Sequence, residues 1–372
     1  MAPVVYHSGS FPPSNIDWPT LIPLIGPANR AIARYDGTLG AIPNAAVLLS
    51  PLTTQEAVLS SRIEGTQATM GEVLEYEAEG DRKDIGEDRK ADINEVLNYR
   101  RAMFAATDLL KELPLSQRVL KQTHQVLLDG VRGQGKSPGE YRRIPNWIGP
   151  PGCTIDTARF VPISADQLPE GMSRWERYIH DETPDQLVQL AVLHAEFEAL
   201  HPFLDGNGRL GRMFVPLFMF QKGLIQSPMF YISAFFETHR DEYYERLLAV
   251  SRDGDWTGWC RFFLTATTEQ ARENQQKASE ILSLYEEMKQ RIVAMTHSQY
   301  AILALDWLFA RPIFRSADFV ESGGIPRPTA RRILTVLKDE TVIIPMVQAS
   351  GRRSAVFAFR ELLNLAEGKA VF

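Results

Sequence analysis

The chain has 372 residues, 44% hydrophobic and 23% charged, with a formal net charge of −6. That suits two or three ordinary globular domains and excludes a fibrous or strongly charged disordered chain. No stretch approaches the ~20 apolar residues of a membrane span, the start "MAPVVYHSGSFPPSNIDWP" lacks a signal peptide's basic and apolar regions, and the isolated Cys153 and Cys260 fit neither zinc nor a disulfide framework, so the expected home is a reducing cytoplasm.

Residues 1–50 are rich in Pro and Gly and read as an N-terminal arm with one helix around "ANRAIARYDG". Thr53 and Glu56 have capping-box spacing, which predicts a helix starting there and stopping at Gly65. A second box, Thr69 with Glu72, opens "MGEVLEYEAEG", and "GEDRKADINEVLNYRRAMFAATDLLKE" and "LSQRVLKQTHQVLLDGV" carry helical apolar spacing. In "NWIGPPGCTIDTARFVPIS", two short β-prone pieces flank a Pro/Gly loop, the pattern of a hairpin. "TPDQLVQLAVLHAEFEAL" is the clearest helix, with Leu187, Leu190, Ala191, His194, Phe197 and His201 on one stripe. His194 reads as a packed core histidine. "RLGRMFVPLFMFQKGL" resumes an apolar helix in which Pro216 predicts a bend, and helices continue to about residue 297.

Between the two apolar helices stands "HPFLDGNGRLGR", His201 to Arg212, too polar for a core and too glycine-rich for a regular helix. Glycines let a backbone approach a ligand closely, and amides at the start of the following helix favour an anion. Asn207 can orient a phosphate oxygen. Arg209 and Arg212, three positions apart, supply guanidiniums that match phosphate geometry. Asp205 belongs in such a place if Mg²⁺ lies between it and the phosphates. His201 is suited to take a proton from an attacking hydroxyl.

The run is similar to the Fic family motif, His-x-Phe-x-(Asp/Glu)-Gly-Asn-Gly-Arg-x-x-Arg, at every fixed position, and the resemblance covers about residues 55–270. It implies a mainly α protein, a Fic-type helical core with a short β-hairpin flap, that moves AMP from ATP to a Ser, Thr or Tyr hydroxyl of a target protein or of itself. On that likeness His201 is the general base and Asp205 the Mg²⁺ ligand. Gly206, Asn207, Gly208, Arg209, Leu210 and Gly211 form the nucleotide-binding run, and Arg212 takes the γ-phosphate. "SSRIEG" resembles the family's inhibitory pattern, with Ser60 and Glu64 as the defining pair, Glu64 occupying Arg212. In some relatives the equivalent Glu also helps remove AMP. Ile148 and Gly149 fall on the flap strand that pairs with a target, and Tyr243 and Tyr244 on the adenine side, where Ser251 stands in place of an Asn found in some relatives. An inhibitory helix closing on its own or a neighbouring core suits a homodimer.

The implied division is an N-terminal arm (1–50), a helical region with the inhibitory helix (51–110), the catalytic core (111–275), a linker helix (276–297) and a winged-helix domain (298–372). The last rests on the order of three helices, "VIIPMV", a turn at "SGRR" and "SAVFAF". Residues 311–372 hold ten Lys+Arg against six Asp+Glu, so this end is basic on an acidic body. Arg327, Arg331 and Arg332 on the third helix and Arg352 and Arg353 at the turn are placed for DNA phosphates, which makes a DNA-binding regulator with a nucleotide-sensing core the rival function. A Fic enzyme transferring UMP, phosphate or phosphocholine is the other.

Overall fold

The structure, a computed structural model, describes residues 2–79, 85–349 and 354–370. Strand β1 (Val4–Val5) precedes α1 (Trp18–Ala41), α2 (Ala45–Leu48), α3 (Ser50–Ile63), α4 (Met70–Glu79), α5 (Glu87–Leu109) and α6 (Gln117–Leu127). A 3-10 turn at Ile155–Thr157 and strand β2 (Phe160–Val161) lead to α7 (Leu168–His180), α8 (Gln186–Leu200) and α9 (Asn207–Gln221). Then come α10 (Ser233–Thr238), α11 (Arg240–Asp253) and the 41-residue α12 (Trp256–Thr296). The remainder is α13 (Ala301–Ala310), β3 (Ile313–Arg315), α14 (Ser316–Ser322), α15 (Arg327–Asp339), β4 (Ile344–Val347), β5 (Val356–Ala358) and α16 (Arg360–Glu367). The fold is mainly helical, and among the described residues no helix is long and apolar enough to cross a membrane.

Three local expectations change. The arm is largely α1, which starts at Trp18 and runs through Pro23 and Pro27. Its prolines are tolerated because Leu21, Ala28, Ala31, Ile32 and Tyr35 bury one face and outweigh the lost backbone bonds. Helix α3 starts at Ser50, ahead of the Thr53–Glu56 box: Pro51, preset for a first turn, starts it, and Thr54 back-bonds to the Ser50 carbonyl at 3.3 Å. The Thr69–Glu72 box is present, the Thr69 amide donating to Glu72 Oε2 at 2.9 Å and the Glu72 amide to Thr69 Oγ1 at 3.3 Å. The hairpin shrinks to one antiparallel bridge, Ile148 with Phe160, since Pro150 and Pro151 cannot extend a ladder. The other edge of β2 is taken by β1 in parallel, Val4 against Phe160 and Val5 against Val161.

The chain divides into two compact units. The first comprises Met1–Asp36, Leu59–Thr66 and Leu97–Arg272. At its centre is α8, whose cap is Asp185: Oδ1 accepts the Leu187 and Val188 amides at 2.9 Å each. The expected stripe is buried from Leu187 to Phe197, while its last member, His201, lies at the cap and is only partly buried; Val188, Val192, Ala195 and Glu196 on the other faces are buried too, so α8 is enclosed on nearly all sides. The indoles of Trp175 and Trp259 donate to its Leu193 and Ala191 carbonyls at 2.8 and 2.7 Å.

The second unit comprises Gly37–Val58, Gln67–Val96 and Glu273–Phe372. Its sheet runs β3-β5-β4, antiparallel, with an irregularity between Pro345 and Val347. Trp307 packs edge-on against Phe314 and Phe319, with centroids 4.9 and 5.1 Å apart. Strand β3, between α13 and α14, was not foreseen. Arg352 and Arg353 lie outside the described residues.

Candidate functional site

The loop between α8 and α9 holds His201 in an unusual backbone. His201 closes α8 with φ 45° and ψ 61°, the left-handed region, which costs a non-glycine residue about 1–2 kcal/mol. Arg142 holds it there. Its Nε donates to the His201 carbonyl at 2.9 Å, Nη2 to the carbonyls of Leu200 (3.2 Å) and Ile163, and its own amide to the Pro202 carbonyl at 2.9 Å. Burial brings the Arg142 guanidinium down to about 10. The His201 ring reaches the cavity described below; burial pushes its pKa down to about 4 although Glu64 pulls the other way, so the imidazole is neutral at pH 7 and free to accept a proton.

The next turn is tied from both sides. Asn207, buried, donates to the Phe203 carbonyl and accepts the Phe203 amide, both at 2.8 Å, closing the loop on itself. The Gly139 amide donates to His124 Nδ1 at 2.9 Å, so Nε2 carries the proton and donates to the Asp205 carbonyl at 2.9 Å. The His124 ring stacks on Phe203 at 3.8 Å. Gly206 caps α9 with φ 74°, a conformation that favours glycine. The first amides of α9 have no carbonyl one turn back to bind, which leaves donors at the helix's positive end. Asp205 Oδ1 accepts its neighbour's amide at 2.6 Å and lies 3.3 Å from Arg209 Nη2.

Arg212, nearly fully buried, meets the end of α3. Its Nε donates to Ser60 Oγ at 2.9 Å, and Nη2 donates to the Ser60 carbonyl at 2.8 Å and to Glu64 Oε1 at 2.7 Å. Burial alone would raise the Glu64 pKa; the Arg212 charge beside it outweighs that and holds the carboxyl below the ordinary value. The carboxylate sits so tightly over α9 that a Cβ on Gly208 would lie 2.1 Å from Glu64 Oε1. Any larger residue there would have to push the Glu64 carboxylate aside.

A cavity of about 370 Å³ lies here, and Asp205, Asn207, Arg209 and Ser60 are not among the residues that line it. Glu64, His201, Gly208 and Arg212 line it together with Ile148, Gly149, Tyr243 and Tyr244. Of the sequence-predicted residues, Asp205 is half-exposed, Arg209 is buried against it, and Ser60 stands behind Arg212. Leu210 is wholly buried, and Gly211 passes under Glu198, whose Oε1 would be 2.3 Å from a Cβ there. Tyr243 is also fully buried, its hydroxyl donating to His194 Nε2 at 2.9 Å while His194 Nδ1 bonds the Gly211 carbonyl at 3.1 Å. His194 is thus the packed core histidine that was expected.

Several residues at the site carried no signal in the sequence. Arg142 and His124 fix the loop. Glu198 lines the cavity with Oε1 unpartnered, and burial raises its pKa to about 8. In the N-terminal segment Tyr6 and His7 both bond Glu196, at 2.6 and 2.8 Å, and His7 Nδ1 is 2.7 Å from Ser251 Oγ. Ser251 therefore serves the N-terminal segment.

Residues 22–108 match the family described as Fic/DOC family N-terminal, and residues 114–219 match the Fic/DOC family. The protein adenylyltransferase Fic of Drosophila grimshawi is 27% identical over 215 residues, 55% of this chain and 39% of that protein. Its Drosophila melanogaster counterpart is 26% identical over the same length, 38% of that protein. The match thus spans well under half of these relatives. A Fic family protein from Desulfovibrio desulfuricans shares the fold at a TM-score of 0.61 and 21% identity, over 94% of this chain and 98% of that one. A Fic domain containing signaling protein from Bacteroides thetaiotaomicron does so at 0.52 and 17%, over 69% and 97%.

Proposed function

We propose that this chain, which carries the Fic/DOC family N-terminal and Fic/DOC family domains, is a protein adenylyltransferase restrained by its own Glu64. The reaction would join a target Ser, Thr or Tyr oxygen to the α-phosphorus of ATP, break the bond to the β-phosphate, release pyrophosphate and pass the hydroxyl proton to His201. A neutral imidazole at the end of α8 supports that role. The amides at the start of α9, with the Arg209 side chain, would hold the α- and β-phosphates, and Arg212 the γ-phosphate. Asp205 fits a Mg²⁺ held by one carboxylate plus phosphates: it is half-exposed, and Oδ2 faces Gly133 so closely that a Cβ there would be 3.0 Å away. The ion would offset phosphate charge.

The observation that carries the reading is the Glu64–Arg212 contact at 2.7 Å. With the carboxylate there, the γ-phosphate loses its guanidinium and meets a like charge. In the test, Glu64→Gly protein with Mg²⁺ and labelled ATP labels itself or a lysate protein, and adding His201→Ala removes the label; a silent Glu64→Gly protein rejects the reading. Intact mass spectrometry with ATP, UTP and CDP-choline identifies the transferred group. Release of AMP from a modified target by the parent but not by Glu64→Gly would assign Glu64 a de-AMPylating role as well.

A second reading concerns the C-terminal part. Helices α13 to α15 with the β3-β5-β4 sheet suit a winged helix, and Arg327 and Arg331 are exposed at the start of α15. A salt-dependent mobility shift of DNA by the full chain, lost on replacing both arginines with Ala, would support DNA binding; no shift at low salt ends it.

A further inference from the structure

The last four carbonyls of a helix lack intrahelical partners, so the end of α3 must find donors elsewhere. Every one of its four is accounted for. The Ser61 carbonyl takes the Glu64 and Thr66 amides at 3.1 and 3.2 Å, and the Arg62 carbonyl takes the Gly65 amide at 2.9 Å. The Ser60 carbonyl takes Arg212, as above. The Ile63 carbonyl takes Arg240 Nη2 at 2.6 Å, with the Tyr244 hydroxyl at 3.4 Å. Two arginines from different helices thus cap α3, one on each side of the turn that presents Glu64.

Arg240 is oddly placed for its own helix. It is the first residue of α11, where the helix dipole disfavours a cation and where Asp241 and Glu242 follow. At the C-terminal end of α3 the same charge is favourable. Among the described residues no carboxylate lies within 4.0 Å of it. Its guanidinium leans over the Tyr244 ring, 5.8 Å from the centroid, and its bond goes to a main-chain carbonyl. That carbonyl belongs to the peptide unit directly preceding Glu64.

We propose that Arg240 is a positioning residue of the restraint: by holding the Ile63 carbonyl it fixes the turn that sets Glu64 on Arg212, although it lines the same cavity as Arg212. The inference rests on the reading of Glu64 given above. Arg212 is the group a γ-phosphate would claim, so it cannot by itself keep Glu64 in place once nucleotide arrives. Arg240 supplies a hold that nucleotide does not compete for. Losing it leaves the Ile63 carbonyl only the long Tyr244 contact, so the turn is held chiefly at the contested end.

The test uses the full chain. Arg240→Ala with Glu64 intact raises self-labelling from ATP about fivefold, the scale of an ordinary net hydrogen bond, because solvent screens the charge of an exposed side chain, and Arg240→Lys gives a smaller rise. In the Glu64→Gly background Arg240→Ala adds no gain and leaves KM for ATP unchanged. Hydrogen exchange reads the same point without activity: amides of residues 64–66 exchange faster in Arg240→Ala while those of α8 do not. Unchanged labelling and exchange overturn the proposal, and so does a raised KM for ATP in the Glu64→Gly background, which would make Arg240 a nucleotide ligand. If Glu64→Gly is silent with every donor, the proposed activity fails, and exchange alone decides whether Arg240 positions the turn.

Discussion

Two segments meet at Arg212, and they reach it in different ways. The loop 201–212 assembles its chemistry from neighbours: a left-handed His201, a self-bonded Asn207, glycines at 206 and 208, and arginines one turn into α9. The end of α3 brings one serine and one glutamate, and these acquire meaning only by touching a guanidinium 148 positions away. A site whose chemical groups are written within a dozen residues needs distant groups such as Arg142 and His124 only for its geometry, whereas the proposed restraint, made by a distant contact, can be lost outright through any group that supports it. The largest expected effect tests the first half of that contrast. In Glu64→Gly protein, His201→Ala removes the proposed general base and should lower labelling by about 10²–10⁴-fold without changing nucleotide binding. A loss of less than tenfold would mean that the loop does not supply the base.

Next in size is Arg142→Ala. It strips buried carbonyls at Leu200, His201 and Ile163 of their donor and leaves the left-handed His201 unsupported. Unpaired buried polar groups cost about 1–3 kcal/mol each, so a drop of at least ~3 kcal/mol in urea unfolding is expected. Labelling should fall as well, because His201 would relax. A variant that unfolds earlier but labels normally would show that the loop holds its geometry alone.

The same contrast explains what could be read beforehand. Helices α8 and α9 were legible because apolar spacing and the glycine run are local signals, and the spacing of Ser60 and Glu64 was legible beside a motif that gave it a partner. What stayed hidden depends on contacts between distant positions. Arg142 stands in "GEYRRIPN", where nothing distinguishes a carbonyl clamp from a solvated arginine. The N-terminal segment looked like a loose arm because "VVYHSG" is too short to declare a strand; β2 gives it an edge, and Glu196 gives Tyr6 and His7 their partner. The hairpin failed for the opposite reason: its β-prone residues were real, but two prolines allow only one bridge.

Two titrations sharpen the contrast at smaller scale. His194 is neutral in the fold, burial holding its pKa down to about 3. As pH falls from about 6.5, the ordinary value, the unfolded chain protonates first, so the stabilisation His194 gives is complete above that value and drains away toward pH 3. The slope is at most about 1.4 kcal/mol per pH unit for one proton. His194→Gln should flatten the fall in Tm between pH 6.5 and 4, and an unchanged slope would mean that other groups govern it. Glu198 behaves in the reverse sense. Its folded pKa, raised by burial to about 8, lies above the ordinary carboxyl value, so its contribution is full below about pH 4.5 and is lost as pH rises toward 8. Glu198→Gln keeps the shape and cannot ionise. It should nearly match the parent at pH 4.5 and pull ahead by up to about 1.4 kcal/mol for each pH unit above that, until pH 8. The gap should shrink in Glu64→Gly, because the Glu64 charge is one of the causes that keep Glu198 protonated. A gap that ignores Glu64 would uncouple the two carboxylates and leave Arg212 answering to α3 alone.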